Sequence, residues 1–161
     1  MIKKDSISLA TEYFDTAYKL HIDGKLENAI VAYRASIRMY PTAKAYTCLG
    51  VVFSLQGKYD LAIEECKKAI ELEPEFGESY NDIGSYLVSL RREEDAIHWF
   101  EKAIEVNDAD SICLSYYNIG KIYERKSDWL KALRYFNKVI TIDGNNEPAQ
   151  NAIIKISTLL N

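Results

Sequence analysis

The chain has 161 residues, 48% of them hydrophobic, and a net charge of −4, which suits one domain or one continuous stacked core burying roughly 70% of its unfolded surface. No stretch reaches the roughly 18 consecutive apolar residues of a membrane span, and the opening Met-Ile-Lys-Lys-Asp-Ser lacks the apolar run of a signal peptide, so a cytoplasmic protein with no membrane partner is expected. Charge is uneven, net −10 over residues 60–110 and net +3 over both 1–59 and 111–143; with no basic patch of matching size, nucleic acid is not an expected partner.

The first unit, residues 10–42, carries Tyr13, Ala17 and Leu20, then the polar connection Asp23-Gly24-Lys25, then Ala29, Tyr33, Ser36 and Ile37 before Pro41. The second, 43–76, repeats the register with Tyr46, Gly50 and Phe53, the connection Gln56-Gly57-Lys58, then Ala62, Cys66, Ala69 and Ile70 before Pro74. In the third, 77–112, the same places hold Tyr80, Gly84, Leu87, Leu90-Arg91-Arg92, Ala96, Phe100, Ala103 and Ile104, and the Asn107-Asp108 segment closes the unit. In the fourth, 113–146, they hold Tyr116, Gly120, Tyr123, Lys126-Ser127-Asp128, Ala132, Phe136, Val139 and Ile140, closed by Asp143-Gly144. Tyrosine thus recurs after 33, 34 and then 36 residues, the last interval lengthened around Val106–Ser111.

Spacings of three, four and seven put the marked residues on one face of an α-helix, so each unit predicts two amphipathic helices joined by a short turn. Glycine inside a helix costs about 1 kcal/mol relative to alanine. Its recurrence at 50, 84 and 120 therefore implies a place where a second helix comes too close for a side chain. The final segment, 147–161, predicts one more helix, with Ala149, Ala152, Ile153, Ile156 and Leu160 facing the fourth unit and Ile154 and Leu159 off that face. One hairpin cannot bury both of its apolar sides, so the units must stack.

These residues resemble the tetratricopeptide repeat (TPR) pattern W-x2-L-G-x2-Y, A-x3-F, P over residues 10 to about 146. The departures are Tyr for the first Trp, Thr16 and Ala17 for Leu-Gly, Cys66 for an aromatic, and Asp108 and Gly144 for the closing Pro. The resemblance implies an all-α fold, a right-handed α-solenoid of four helical hairpins plus a C-terminal capping helix, whose first helices line a concave groove. Family members that clamp acidic chaperone tails use Lys and Asn on one first helix, Asn on the next, and Lys and Arg on the third. Phe14 and Tyr18, Cys48, and Glu78 with Asp82 stand in those places, so that subtype is not expected.

Little in the chain suggests chemistry. His21 and His98 lie two units apart without a metal-binding partner at helical spacing, and nucleotide-binding glycine motifs are absent. Cys48, Cys66 and Cys113 form no Cys-x-x-Cys pair and read as reduced thiols. The acidic runs Glu64-Glu65, Glu71 to Glu78 and Glu93-Glu94-Asp95 lack the order of a calcium loop and read as solvated faces. Trp129 falls in a packing column, and Trp99 in a variable one open either to a neighbour or to a partner. The expectation is a protein that is not an enzyme, needs no cofactor or metal, and binds a protein or peptide.

One residue past each tyrosine, and four further on, the first helices present Phe14 and Tyr18, Thr47 and Val51, Asn81 and Ser85, and Tyr117 and Lys121. These eight are the expected groove residues, with packing between helices the alternative for Phe14 and Tyr18. The competing function is self-assembly into a homo-oligomer through the C-terminal helix, where Ile154 and Leu159 offer apolar surface.

Overall fold

The computed structural model describes residues 2–106 and 109–160, and among these every regular element is an α-helix. In chain order they are α1 (Ile2–Ile22), α2 (Leu26–Met39), α3 (Ala43–Leu55), α4 (Tyr59–Leu72), α5 (Gly77–Ser89), α6 (Glu93–Glu105), α7 (Ala109–Arg125), α8 (Trp129–Ile142) and α9 (Glu147–Leu160). Each first helix packs on its own second helix, each second helix packs on the following first helix, and successive first helices touch from α1 through α7. This is a stack of four hairpins with α9 laid on α8.

All four hairpins turn the same way. Gly24, Gly57, Arg91 and Ser127 occupy equivalent places with φ of 73°, 73°, 62° and 56°. In each turn the next residue's amide reaches back to the helix, Lys25 to Leu20, Lys58 to Phe53, Arg92 to Leu87 and Asp128 to Tyr123, at 2.9 to 3.0 Å. The left-handed geometry is thus dictated by the hairpin, and only the first two repeats meet it with glycine.

The small-residue column is where the hairpins close. A Cβ on Gly84 would stand 2.5 Å from the ring of Phe100, and one on Gly120 would stand 2.8 Å from the ring of Phe136. In the second repeat the aromatic is missing, and the helices approach until a Cβ on Gly50 would meet the Ala62 carbonyl oxygen at 3.0 Å and Cys66 Sγ at 3.1 Å. Cys66 thus fills the place of the aromatic against Gly50 and is itself fully buried. In the first repeat Ala17 and Tyr33 are both fully buried.

The lengthened interval before the fourth repeat is absorbed as helix. The α7 helix has 17 residues against 13 in α3 and α5, so it gains one turn at its N-terminus. Asn107 and Asp108, the expected unit boundary, lie outside the described residues. The α1 helix is longer still, at 21 residues, and is fastened by the Ser36 hydroxyl donating to the Ala10 carbonyl at 2.8 Å.

At the C-terminal end Asn146 caps α9 through Ala149 N–H at 3.2 Å, as Thr42 caps α3 through Ala45 N–H at 3.2 Å. That alignment puts Gln150, Ile154 and Ser157 where α3 has Tyr46, Gly50 and Phe53. Aromatic, small, aromatic has become polar, large, polar, so α9 lacks the surface on which a second helix of this geometry closes. Ala149, Ala152 and Ile156 are buried against α8, but Leu160 is 49% exposed, contrary to the sequence expectation, because it falls in the last turn beyond the reach of α8. On α1 the polar residues Glu12, Asp15, Thr16 and Lys19 are exposed together with the apolar side chains of Ile7, Leu9 and Tyr13.

Candidate binding groove

The first helices α1, α3, α5 and α7 lie side by side, and the eight expected groove residues divide into two columns. The later column, Tyr18, Val51, Ser85 and Lys121, keeps accessible surface, with Tyr18 at 50%. In the earlier column Thr47 and Asn81 are buried, and Phe14 and Tyr117 are partly covered. Thr47 is fully buried with its hydroxyl 2.7 Å from that of Ser79. Asn81 is 2% exposed, donating to the Ser111 carbonyl at 3.1 Å and accepting from the Ser115 hydroxyl at 2.8 Å. The two aromatics of this column turn onto the second helix of their own hairpin instead, Phe14 to Tyr33 and Tyr117 to Phe136, both with ring centroids 5.6 Å apart.

The cause is geometric. This column sits on the seam between adjacent first helices, where a short polar side chain is drawn inward to a hydroxyl or carbonyl of the next repeat. Once buried, such a group must be paired, and Ser79 and Ser115 supply the partners. The expectation that Thr47 and Asn81 face a ligand is therefore corrected to a role in setting how repeat meets repeat.

The seam between α3 and α5 also holds residues that sequence reasoning set aside. Lys44 Nζ pairs with Glu78 Oε2 at 2.8 Å where both are about half exposed. One helical turn on, Cys48 and Asp82 stand beneath that pair, with Tyr86 a turn deeper. Burial, then the neighbouring Glu78 carboxylate, pushes the Asp82 carboxyl up to about 7. Burial likewise pushes up the Cys48 thiol, the Cys66 thiol and the Tyr86 phenol. One Asp82 oxygen and the Tyr86 hydroxyl are enclosed without a hydrogen-bond partner of good geometry among the described residues. The signal available in the sequence was the shared spacing of Lys44 with Cys48 and of Glu78 with Asp82, 34 residues apart.

The two ends of the groove differ. Beside α1 a recess of about 270 Å³ is lined by Ile7, Ala10, Thr11, Phe14, Ser36, Tyr40, Thr42 and Lys44. At the far end Glu124 is 8% exposed; burial works against its charge, but hydrogen bonds from Lys121 at 2.6 Å and Lys155 at 2.8 Å hold its carboxyl below the usual range. Two cations thus share one carboxylate.

Elsewhere, Glu65 is 8% exposed and bonded to Lys68 at 2.8 Å. It belongs to the packing between hairpins and not to a solvated acidic face. His21 lies with Nδ1 3.5 Å from the Tyr33 hydroxyl, burial lowering its pKa, and His98 is exposed on α6. Trp99 stacks near Tyr80, with ring centroids 6.0 Å apart, and under Lys102. Trp129 packs against the apolar cluster of α8 and α9. No group of three or more metal-ligating side chains occurs among the described residues, and no helix there is long and apolar enough to cross a membrane.

Comparison with known proteins agrees with this architecture. Tetratricopeptide repeat models match residues 43–76, 77–110 and 115–146. Small glutamine-rich tetratricopeptide repeat-containing protein 2 of Mycosarcoma maydis is 32% identical over 85 residues, 52% of this chain and 24% of that protein. Anaphase-promoting complex subunit 3 of Schizosaccharomyces pombe is 27% identical over 133 residues, 82% of this chain and 20% of that protein. The chain therefore spans only about a fifth to a quarter of these relatives. Among solved structures, PilF of Pseudomonas aeruginosa superposes with a TM-score of 0.81 at 21% identity, covering 96% of this chain and 68% of that one. YrrB, a TPR protein with an unusual peptide-binding site, gives 0.72 at 23%, covering 90% and 74%. The first TPR domain of Spaghetti (RPAP3), bound to the HSP90 peptide SRMEEVD, gives 0.65 at 24%, covering 74% and 93%. With the repeat matched across most of its length and the hairpins closing on glycine and aromatic as the pattern requires, this chain belongs to the tetratricopeptide repeat family.

Proposed function

We propose that the chain is a non-catalytic protein-interaction scaffold that binds a peptide or helical segment of a partner protein in the groove of its first helices. The observation that carries this is the column Tyr18, Val51, Ser85 and Lys121. Its members differ from repeat to repeat and keep accessible surface, while the column just before it, Ala17, Gly50, Gly84 and Gly120, is small and buried in every repeat. Packing does not require such variety, whereas a surface reading different parts of one segment does. One similar fold is bound to a peptide and another has a peptide-binding site, which supports a peptide as the kind of partner. The recess beside Phe14 suits an apolar anchor, and Lys121 with Lys155 suits a polar or acidic group at the other end.

The test uses a segment selected from a random dodecapeptide pool on the whole chain and titrated by calorimetry. Tyr18→Ala is expected to weaken it by about 2 kcal/mol, as loss of a buried aromatic anchor does. Its melting should barely change, since half of Tyr18 is exposed. Lys121→Glu should weaken an acidic segment further. Unchanged affinity in both variants removes the groove from the reading. Self-assembly through α9 has less support: Ile154 and Leu159 are 64% and 60% exposed, but five residues of helix set them roughly 140° apart, so they form no continuous patch. A light-scattering mass that stays dimeric on dilution would reverse that judgement.

A further inference from the structure

In the third and fourth repeats the tyrosine that opens the pattern is covered by an aromatic from the second helix of its own hairpin. Trp99 lies with its ring centroid 6.0 Å from that of Tyr80, and Lys102 Nζ stands 4.7 Å above the Trp99 ring. Tyr135 lies 6.1 Å from Tyr116, with Lys138 Nζ 4.6 and 5.1 Å from the Tyr116 and Tyr135 rings. The lysine recurs in the second repeat as Lys68, but the aromatic does not. Glu65 stands in its place and holds Lys68 at 2.8 Å. Tyr46 is left beside a recess of about 520 Å³ between α2 and α4, lined also by Val31, Arg34, Ile37 and Leu49. The corresponding recess beside Tyr80, which Trp99 helps to line, is smaller, about 380 Å³.

The α2 wall of this recess departs from the repeat as well. Val31 is 66% exposed, in a column that continues as Glu64, His98 and Arg134. Arg38, which also lines the recess, stands where the next two repeats carry Glu71 and Glu105, and Arg34 stands where the third carries Glu101. Both arginines are exposed, and neither has a carboxylate within ion-pair distance among the described residues. The one carboxylate in the recess, Glu65, is already neutralised by Lys68. A half-buried tyrosine and an exposed valine thus stand beside two uncompensated positive charges, on a face that turns acidic in the following repeats.

We propose that this recess, on the side of the second helices, is a second docking surface that receives a partner-protein segment carrying an aromatic side chain with a carboxylate close to it in sequence. The fold itself shows what fits: the incoming ring takes against Tyr46 the place that Trp99 takes against Tyr80, where a tilted ring contact adds to the gain from burial. Arg34 and Arg38, one helical turn apart on α2, receive the carboxylate, for which a guanidinium offers paired donors. The surface shares no residue with the column Tyr18, Val51, Ser85 and Lys121, so it stands independently of the groove reading.

The probes are dodecapeptides selected from a random pool on the whole chain, with the Glu65→Trp protein in excess as competitor, and their Kd is read by fluorescence anisotropy. Glu65→Trp gives α4 the residue of the third repeat and closes the recess from within. Selected peptides should share Phe, Tyr or Trp near an Asp or Glu. Replacing that aromatic by Ala should raise Kd about tenfold or more, as loss of an anchor does. Arg38→Glu should raise Kd severalfold, and exchanging the peptide's acid for Lys should restore binding to that variant, which a structural defect would not allow. Tyr18→Ala should leave these values unchanged. Circular dichroism checks folding; if Glu65→Trp does not fold, selection without competitor and the charge exchange at the exposed Arg38 still decide the matter. Peptides lacking the aromatic and acid, equal binding to the Arg38→Glu protein, or a pool that yields no binder overturns the inference. Binding lost with Tyr18→Ala places the peptide in the first-helix groove, which overturns this surface and leaves the groove reading standing. A parent that dimerises and becomes monomeric as Arg38→Glu gives the recess to a second copy and overturns the partner named here.

Discussion

Glycine serves two purposes in this chain, and substitution separates them. Gly84→Ala should destabilise by about 1–3 kcal/mol, because its Cβ would press into the fully buried Phe100 ring and the overlap outweighs the gain in helix propensity of about 1 kcal/mol. Gly24→Ala meets nothing within 4 Å, yet φ at +73° makes it cost about 1–2 kcal/mol through the backbone alone. Urea unfolding of the two variants checks both figures, and a neutral Gly84→Ala would mean that Phe100 has room to move. Asp82 makes a pH-dependent prediction. Its carboxyl, at about 7 in the fold, sits above the value near 3.9 expected of the unfolded chain, so the folded state binds more protons between those values. Stability then falls as pH rises through this interval, by an amount on the order of a few kcal/mol that is absent below pH 4 and complete above pH 7. The Cys48, Cys66 and Tyr86 groups in the same seam are pushed upward by burial and stay neutral there. Asp82→Asn should therefore differ little from the parent at pH 4 and be more stable at pH 8, as measured by urea unfolding at both.

At the scale of elements the hairpin turns are the cleanest place to intervene. Arg91 and Ser127 take the left-handed geometry that Gly24 and Gly57 take freely. Arg91→Gly should stabilise by roughly 0.5–1 kcal/mol, the relief of the backbone less the larger entropy of glycine in the unfolded chain. A rise of a few degrees in Tm is the expected reading, and a fall would show that the Arg91 side chain contributes more than its backbone costs. The same scale explains two features the repeat pattern does not contain. The α7 helix takes up the longer interval as a helical turn, which keeps Tyr116 and Gly120 in register with α8. The α9 helix departs from the repeat pattern, with Ile154 in the place where α3, α5 and α7 have glycine.

Taken whole, the molecule is nearly one-dimensional: each hairpin touches only its neighbours, so damage should be local in origin and spread through adjacent interfaces. Phe100→Ala, which empties a fully buried site between α5 and α6, should cost about 3–5 kcal/mol. Hydrogen exchange should show α5 and α6 losing the most protection and α1, α2 and α9 the least; uniform loss along the chain would mean that the stack unfolds as one unit. The repeating columns were legible in the sequence because helix packing is periodic and a glycine set against an aromatic has no cheaper explanation than close contact. The turns, the buried alanines 29, 62, 96 and 132, and the closing of Gly84 on Phe100 follow from spacing alone. The sequence also told apart two columns of variable residues, but it could not tell which faced outward. A helical wheel gives the direction of Thr47 and Asn81 to within about one residue's rotation, and at a seam between parallel-running helices that margin separates solvent from burial. Only the tertiary structure decides it, through partners 30 or more residues away: Ser79 for Thr47, and Ser111 and Ser115 for Asn81.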